Sequence, residues 1–448
     1  MNREKLRESL NHRGSGLKSG LEDLKDRRFL LGYFFAVTLL MVFQHSQGWA
    51  WDFSVYSLNG QYLFHEGVYM EWKRPPLLPV ILGFFQFIFS MKASEYVFIV
   101  LNSAFFLFSS LKFSRVYDLN PLYLYVLVMS PYAVFYGALE GTELLFLSFL
   151  TLMLAEIERP RSGLWFGMAF LTRYTGALFV LLILCQKNLK KIVKTIAISG
   201  LVVLPWLIFN YVALGHPFAS MADSYALDVV ERGLTTPFKI QDLFLMTGLG
   251  IPFALLYLKD MDFELADLMM VFTSLIIVSR QLTTKVKVRR YLFDLSLPVA
   301  LLAVKGLNLL ENPERIFYIV TGIYLLGAGF LVMDTTSVSS PTVYEEASDE
   351  IGYCKTVSNE WPMLSYAGTP TGPLETHLKP EQEYIDEGFK VVEFGNGTYK
   401  VRGDGCIERP FNSTYVDRLD SIYTDVGVCN YLPIETCRAE DRLGGLIE

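Results

Sequence analysis

The sequence predicts an all-α polytopic membrane bundle followed by a small, disulfide-containing, β-rich domain, and three observations carry that expectation. Apolar runs recur from Phe29 to Val332, each near the length that crosses roughly 30 Å of hydrocarbon at about 1.5 Å per residue. Hydrophobic residues make up 52% of the 448 and charged residues 19%, below the quarter or so that is charged in soluble chains. The charge balance also reverses once: residues 335–448 carry 20 acidic and 9 basic side chains, and the remainder 26 and 30. A soluble fold would have to bury about ten uncharged helices in one core.

Residues 1–28 hold eight basic and five acidic side chains and no apolar stretch or small-residue cleavage site, so they read as a cytoplasmic segment rather than a signal peptide. A first span, Phe29 to Phe43, leads into a polar outer loop, residues 48–74. The run from Pro75 to Phe89 is short for a crossing and reads as interfacial. Charge supports this, because Tyr96–Leu111, Leu122–Tyr136 and Leu144–Ala155 then place Lys112, Arg115, Arg159 and Arg161 inside, as the positive-inside rule prefers. Residues 163–186 have basic residues at both ends and read as a re-entrant hairpin turning at Thr172–Gly176. Five further runs, 196–211, 243–258, 268–278, 292–304 and 316–333, bring the count to about ten and leave the tail extracytoplasmic.

The tail begins after the Ser/Thr-rich linker 335–342, giving a bundle over 29–334 and a tail domain over 335–448. It contains Cys354, Cys406, Cys429 and Cys437, an even number that permits three pairings, whereas Cys185 is isolated in an apolar run. Asn396 and Asn412 head N-glycosylation acceptor triplets. Cysteines and acceptor sites together point to an oxidising, outer compartment.

Candidate chemistry gathers on the outer side. Arg173 lies within an apolar segment, where an arginine is costly unless paired or wet. The stretch from Arg280 to Tyr291 carries five cations on a side where positive charge is unusual, which suits an anionic headgroup. Asp52, Glu66, Glu71, Glu140 and Glu143 supply carboxylates near the same face. Moving a group onto a hydroxyl calls for a positioned carboxylate to take its proton, and Asp52 fits that base. Glu140 and Glu143 suit sugar hydroxyls or a divalent cation, and Glu143 equally suits the start of a helix after Thr142. No metal-ligand spacing is present.

Three stretches of this sequence resemble the GT-C type membrane glycosyltransferases that use polyprenyl-phosphate sugars, such as the dolichyl-phosphate mannosyltransferases and lipid A aminoarabinose transferases. Asp52 to Tyr56 followed by Arg74-Pro75-Pro76-Leu77 is similar to their first outer loop. Ser130-Pro131 through Glu143, then Gly163 to Arg173 ending in Leu-Thr-Arg, is similar to their central run. Arg290-Tyr291-Leu292 through Pro298 resembles a late helix. The likeness spans residues 28–334. It implies an inverting hexosyl transfer in one displacement, possible for mannose among other sugars, with Asp52 as base. It also implies that Arg74, Arg173, Arg289, Arg290 and Tyr291 hold the donor phosphate. Phe53 follows Asp52 where protein O-mannosyltransferases have a second acid, which departs from that subtype.

The partners so implied are a lipid-linked sugar and a protein, glycan or lipid acceptor, with no nucleic acid, in a plasma or endoplasmic-reticulum-like membrane. A secondary transporter of an anionic or sugar-like substrate shares the helix count and the intramembrane arginine, but the sequence shows no internal repeat. A non-catalytic receptor or scaffold shares the glycosylated tail, and it predicts no convergence of Asp52 with Arg173 and Arg289.

Overall fold

The structure, a computed structural model, describes residues 26–65, 70–184, 186, 188–225, 239–260, 264–283, 289–334, 339–374, 380–395 and 397–407. Glu66, Cys185, Asn396, Asn412, Cys429 and Cys437 lie outside the described residues, as do 284–288 and 335–338.

The chain opens with α1 (Asp26–Ser46), α2 (Trp51–Phe64), α3 (Leu77–Gln86) and α4 (Met91–Val116). Then follow α5 (Pro121–Val128), α6 (Pro131–Leu139), α7 (Thr142–Ala155), α8 (Ser162–Thr172), a 3-10 stretch (Tyr174–Phe179) and α9 (Val180–Ile183). The bundle continues with α10 (Leu189–Leu214), α11 (Ala219–Tyr225), α12 (Ile240–Thr247), α13 (Gly250–Asp260) and α14 (Leu265–Thr283). A second 3-10 stretch (Arg289–Leu295), α15 (Ser296–Leu307) and α16 (Pro313–Val332) complete it.

Among the described residues, α1, α4, α10 and α16 are each long and apolar enough to cross a membrane. Two bent pairs, α5 with α6 at 68° and α12 with α13 at 100°, raise the number to six if each counts as one span. Shorter apolar helices of 10–17 residues stand beside these, α3, α7 and α8 among them. Pro131 cannot donate to the preceding turn, and Ser130 caps α6 by accepting from the Ala133 amide at 3.3 Å, so one run becomes two helices. Helix α3 has ten residues, about 15 Å at 1.5 Å per residue, too short to cross. Residues 162–186 form the expected hairpin: Gln186 Nε2 donates to the Ile157 carbonyl at 2.6 Å and approaches Ser162 Oγ at 3.3 Å, returning to the end where α8 began.

The outer loop expected over residues 48–74 is in fact helical over Trp51–Phe64. Ser54, Ser57 and Asn59 are buried there beside Phe53 and Val55. Asn59 brackets the Glu71 backbone, donating to its carbonyl at 3.1 Å and accepting from its amide at 2.8 Å. Polar residues satisfied by tertiary partners look like a loop when read by hydropathy alone.

The bundle has two distinct ends. At one, Asn120 donates to Asp26 at 3.2 Å, Phe29 meets Tyr318 with ring centroids 5.2 Å apart, and Lys112 and Arg161 both pair with buried Glu156. At the other, Gln47 Nε2 donates to the Val332 carbonyl at 2.8 Å, so α1 and α16 run side by side in the same direction. The chain leaves α16 at this second end, where Ser339 and Trp49 exchange two backbone hydrogen bonds.

The tail begins there with α17 (Pro341–Ile351), β1 (Thr356–Ser358), α18 (Trp361–Tyr366), β2 (Gly372–Pro373), α19 (Glu381–Asp386), β3 (Lys390–Gly395) and β4 (Thr398–Arg402). Its sheet has the order β2-β1-β3-β4, parallel except for the β3–β4 hairpin, so the expected β structure is joined by three short helices. A disulfide joins Cys354 and Cys406.

Helices α8 and α10 touch backbone to backbone at Gly163. A Cβ there would fall on the Thr195 carbonyl oxygen, and small residues are what permit such approach in membranes. Gly163→Ala is expected to destabilise by about 1–3 kcal/mol through overpacking. Gly322→Ala, at a position with open space around it, should show no such loss. Thermal unfolding of the two variants in detergent checks this.

Candidate functional site

At the end where the tail docks, charged side chains from six segments converge. Asp52 stands in the first turn of α2, where the helix dipole favours an anion. Its Oδ1 accepts from Arg74 Nη2 at 2.9 Å and its Oδ2 lies 2.8 Å from Arg290 Nη1. Arg74 is held in turn by buried Glu71, Nε to Oε2 at 2.8 Å. Arg290 Nη1 also reaches Glu140 Oε1 at 2.6 Å, so one guanidinium bridges two carboxylates.

Glu140 caps α6, and Glu143 starts α7 three residues later. The turn between them depends on Gly141 with φ +83°, where a Cβ would meet Leu78 at 2.8 Å and Phe53 at 3.0 Å. Glu143 Oε1 pairs with Arg173 Nη1 at 2.6 Å, at the break between α8 and the first 3-10 stretch. Behind them Arg280, from the last turn of α14, reaches Asp294 Oδ2 at 3.3 Å and the Tyr291 carbonyl. The Tyr291 ring is shared: the guanidinium carbons of Arg173, Arg280 and Arg290 lie 5.9, 5.8 and 5.7 Å from its centroid. Arg74 sits 5.6 Å from the Tyr56 ring.

Of the residues singled out from sequence, Asp52, Arg74, Glu140, Glu143, Arg173, Arg290 and Tyr291 therefore share one cluster. Arg289 faces elsewhere, pairing with Asp242 at 2.9 Å and lying 4.6 Å from the Tyr132 ring centroid. A 3-10 stretch turns about 120° per residue, so neighbours such as Arg289 and Arg290 diverge. Glu140 and Glu143 face guanidiniums, and among the described residues no three His, Cys, Asp or Glu side chains are grouped to hold a metal ion. Tyr56 and Asp294 escaped the sequence reading. A lone carboxylate inside the apolar run 292–304 was the available signal for Asp294.

The two carboxyls bridged by Arg290 are driven apart in acidity. Burial pushes the Asp52 carboxyl up, but Arg74 and Arg290 outweigh it and hold the group well below the usual carboxylate range. Burial raises Glu140, and the neighbouring charges of Asp52 and Glu143 add to that against the pull of Arg290. Glu140 Oε2, Asp294 Oδ1 and Arg290 Nε are buried without a hydrogen-bond partner, so the cluster keeps two acceptors and one donor unused.

No protein-family model and no curated protein matches the sequence. The structure is similar to the crystal structure of ArnT from Cupriavidus metallidurans bound to undecaprenyl phosphate, with a TM-score of 0.63 over 81% of this chain and 92% of that one, at 12% identity. The fold is thus GT-C-like, and the chain is a multi-pass membrane protein.

The Glu143–Arg173 pair is buried, with side chains 1% and 13% exposed. Glu143→Leu should cost about 3–5 kcal/mol by stranding the guanidinium, whereas the double variant Glu143→Leu/Arg173→Leu should recover more than half of the loss. Unfolding midpoints of both variants measure the difference.

Proposed function

We propose that this protein moves a sugar from a polyprenyl-phosphate donor onto a hydroxyl acceptor at the end of the bundle where the tail docks, and that this end is extracytoplasmic. The observation that carries the reading is Asp52, held between Arg74 and Arg290 inside a GT-C-like fold. The sidedness is supported by Lys112, Arg159 and Arg161, gathered beside Glu156 at the opposite end, and by the Cys354–Cys406 disulfide in the tail.

A carboxylate gripped by two guanidiniums is a weak base, so the cluster by itself is a resting arrangement. The donor phosphate is the competing anion. Planar guanidiniums offer paired donors to phosphate oxygens as well as to carboxylates, so an incoming phosphate draws Arg74 and Arg290 toward itself and releases Asp52. Asp52 then takes the acceptor hydroxyl proton as that oxygen attacks the anomeric carbon. The bond from carbon to the phosphate oxygen breaks, and its electron pair leaves with the polyprenyl phosphate, inverting the anomeric centre. Arg290 and Arg74 stabilise the charge that gathers on the leaving phosphate. Arg173 and Tyr291 line the second layer of this phosphate site, and Arg289 with Asp242 flanks it on the Tyr132 side. Glu140 lies beside Arg290 with one carboxyl oxygen open to a sugar hydroxyl.

Mannose is one sugar the site would accept, and a protein, glycan or lipid hydroxyl would serve as acceptor.

Asp52→Asn is expected to lower transfer by about 10²–10⁴ while leaving donor binding in place. Arg290→Ala, and Arg173→Lys, which keeps the charge but loses the fork, should each reduce donor affinity or turnover at least tenfold, about 1.4 kcal/mol. Arg315→Ala, at the opposite end beside Glu314, is the control. Donor titrations in membranes with a polyprenyl-phosphate sugar measure all four. Full activity of the Asn variant would remove Asp52 from the base role.

A further inference from the structure

Glu95 is a carboxylate for which the transfer chemistry has no use, yet it is 4% exposed and its partners come from three other segments. It stands near the start of α4. Its Oε1 accepts from Ser57 of α2 and from the Tyr366 hydroxyl of the tail helix α18 at 2.8 Å, and its Oε2 lies 2.9 Å from His45 Nε2 in the last turn of α1. A buried carboxylate needs its lone pairs filled, and losing a partner leaves an uncompensated group. The tail therefore supplies part of what makes Glu95 tolerable where it is.

The same contact lies close to Asp52. Ser57 is five residues along α2 from Asp52, about 7.5 Å at 1.5 Å per residue. On the other side of Asp52, Trp51 packs edge-on against Trp361 of α18, with centroids 4.9 Å apart. Trp49, one residue before α2's N-cap, packs against Tyr366 at 4.8 Å and Tyr344 at 6.1 Å. Asp52 is thus bracketed: the residue before it and the residue five after it both reach the same tail helix, one directly and one through Glu95.

We infer that Glu95 and Tyr366 are positioning residues, and that the docked tail sets the placement of the α2 N-terminus and with it the Asp52 carboxylate. An ectodomain that merely hung from α16 would not have its tyrosine committed to a buried carboxylate among three bundle helices. The inference rests on the proposed role of Asp52 for its catalytic consequence, but not for its structural one.

Tyr366→Phe removes one hydrogen bond and keeps the ring, and Glu95→Gln keeps the shape and removes the charge. In the full-length protein each should speed amide hydrogen exchange across residues 51–64 at least fivefold and lower kcat five- to tenfold, with donor KM changed less than twofold. The double variant should lose little more than the worse single one, because both act through one contact. Glu345→Gln, which touches the other exposed tail contact with Lys92 at 3.9 Å, should change neither readout. Unchanged exchange over 51–64 in Tyr366→Phe and Glu95→Gln would overturn the inference whatever the activity. Faster exchange with unchanged kcat per folded protein would overturn it too, by showing that the tail docks without positioning Asp52. If the unaltered protein transfers no sugar, the proposed function fails, and the exchange rates alone then decide whether Glu95 couples the tail to α2.

Discussion

Buried charge has to be matched within the protein, and this requirement organises the end of the bundle where the tail docks. An arginine near hydrocarbon costs kilocalories unless paired or wet. Arg74, Arg173, Arg280 and Arg290 each find a carboxylate, and the carboxylates come from α2, the α2–α3 connection, the α6–α7 turn and the second 3-10 stretch. The pairing fixes where those segments meet. Helix breaks follow from it, because Glu140 and Arg173 both stand where a helix ends, with backbone free to aim the side chain.

The matching is also incomplete in an informative way. Arg290 serves two carboxyls, Glu140 keeps an unpartnered oxygen, and the Arg290 Nε has no acceptor. Such a cluster holds together at rest and still has bonds to offer. An added anion would find in it a donor that the protein's own carboxylates leave unused.

The membrane class and most of the residues that the structure gathers into the cluster were legible in the sequence, because lone charges in apolar runs and runs of cations are strong local signals. Arg173 was found that way, and Asp52 as a carboxylate just after the first span. What stayed hidden depended on tertiary partners. Helix α2 read as a loop because Ser54, Ser57 and Asn59 are polar but buried. The Ser-Pro step at 130–131 and the Gly step at 248 bend two apolar runs without interrupting their apolarity, so hydropathy carried no mark of the bends. Arg289 and Arg290 are adjacent in sequence and were grouped together, and only the 3-10 geometry separates them. Glu95 gave a weak signal, one acid near the start of a span, and nothing local marks its partner as a tyrosine in the tail.

Asp52 enters the membrane region with the second helix of the chain, and Arg290 arrives only after α14. During synthesis the acid must therefore wait, with Arg74 as its one nearby counterion, while most of the bundle is inserted. The last helices close the circuit. A chain stopped short of the second 3-10 stretch leaves Asp52 and Glu140 facing each other without the guanidinium that reconciles them. The same residue that holds the site together thus makes its completion a late event in the chain's synthesis.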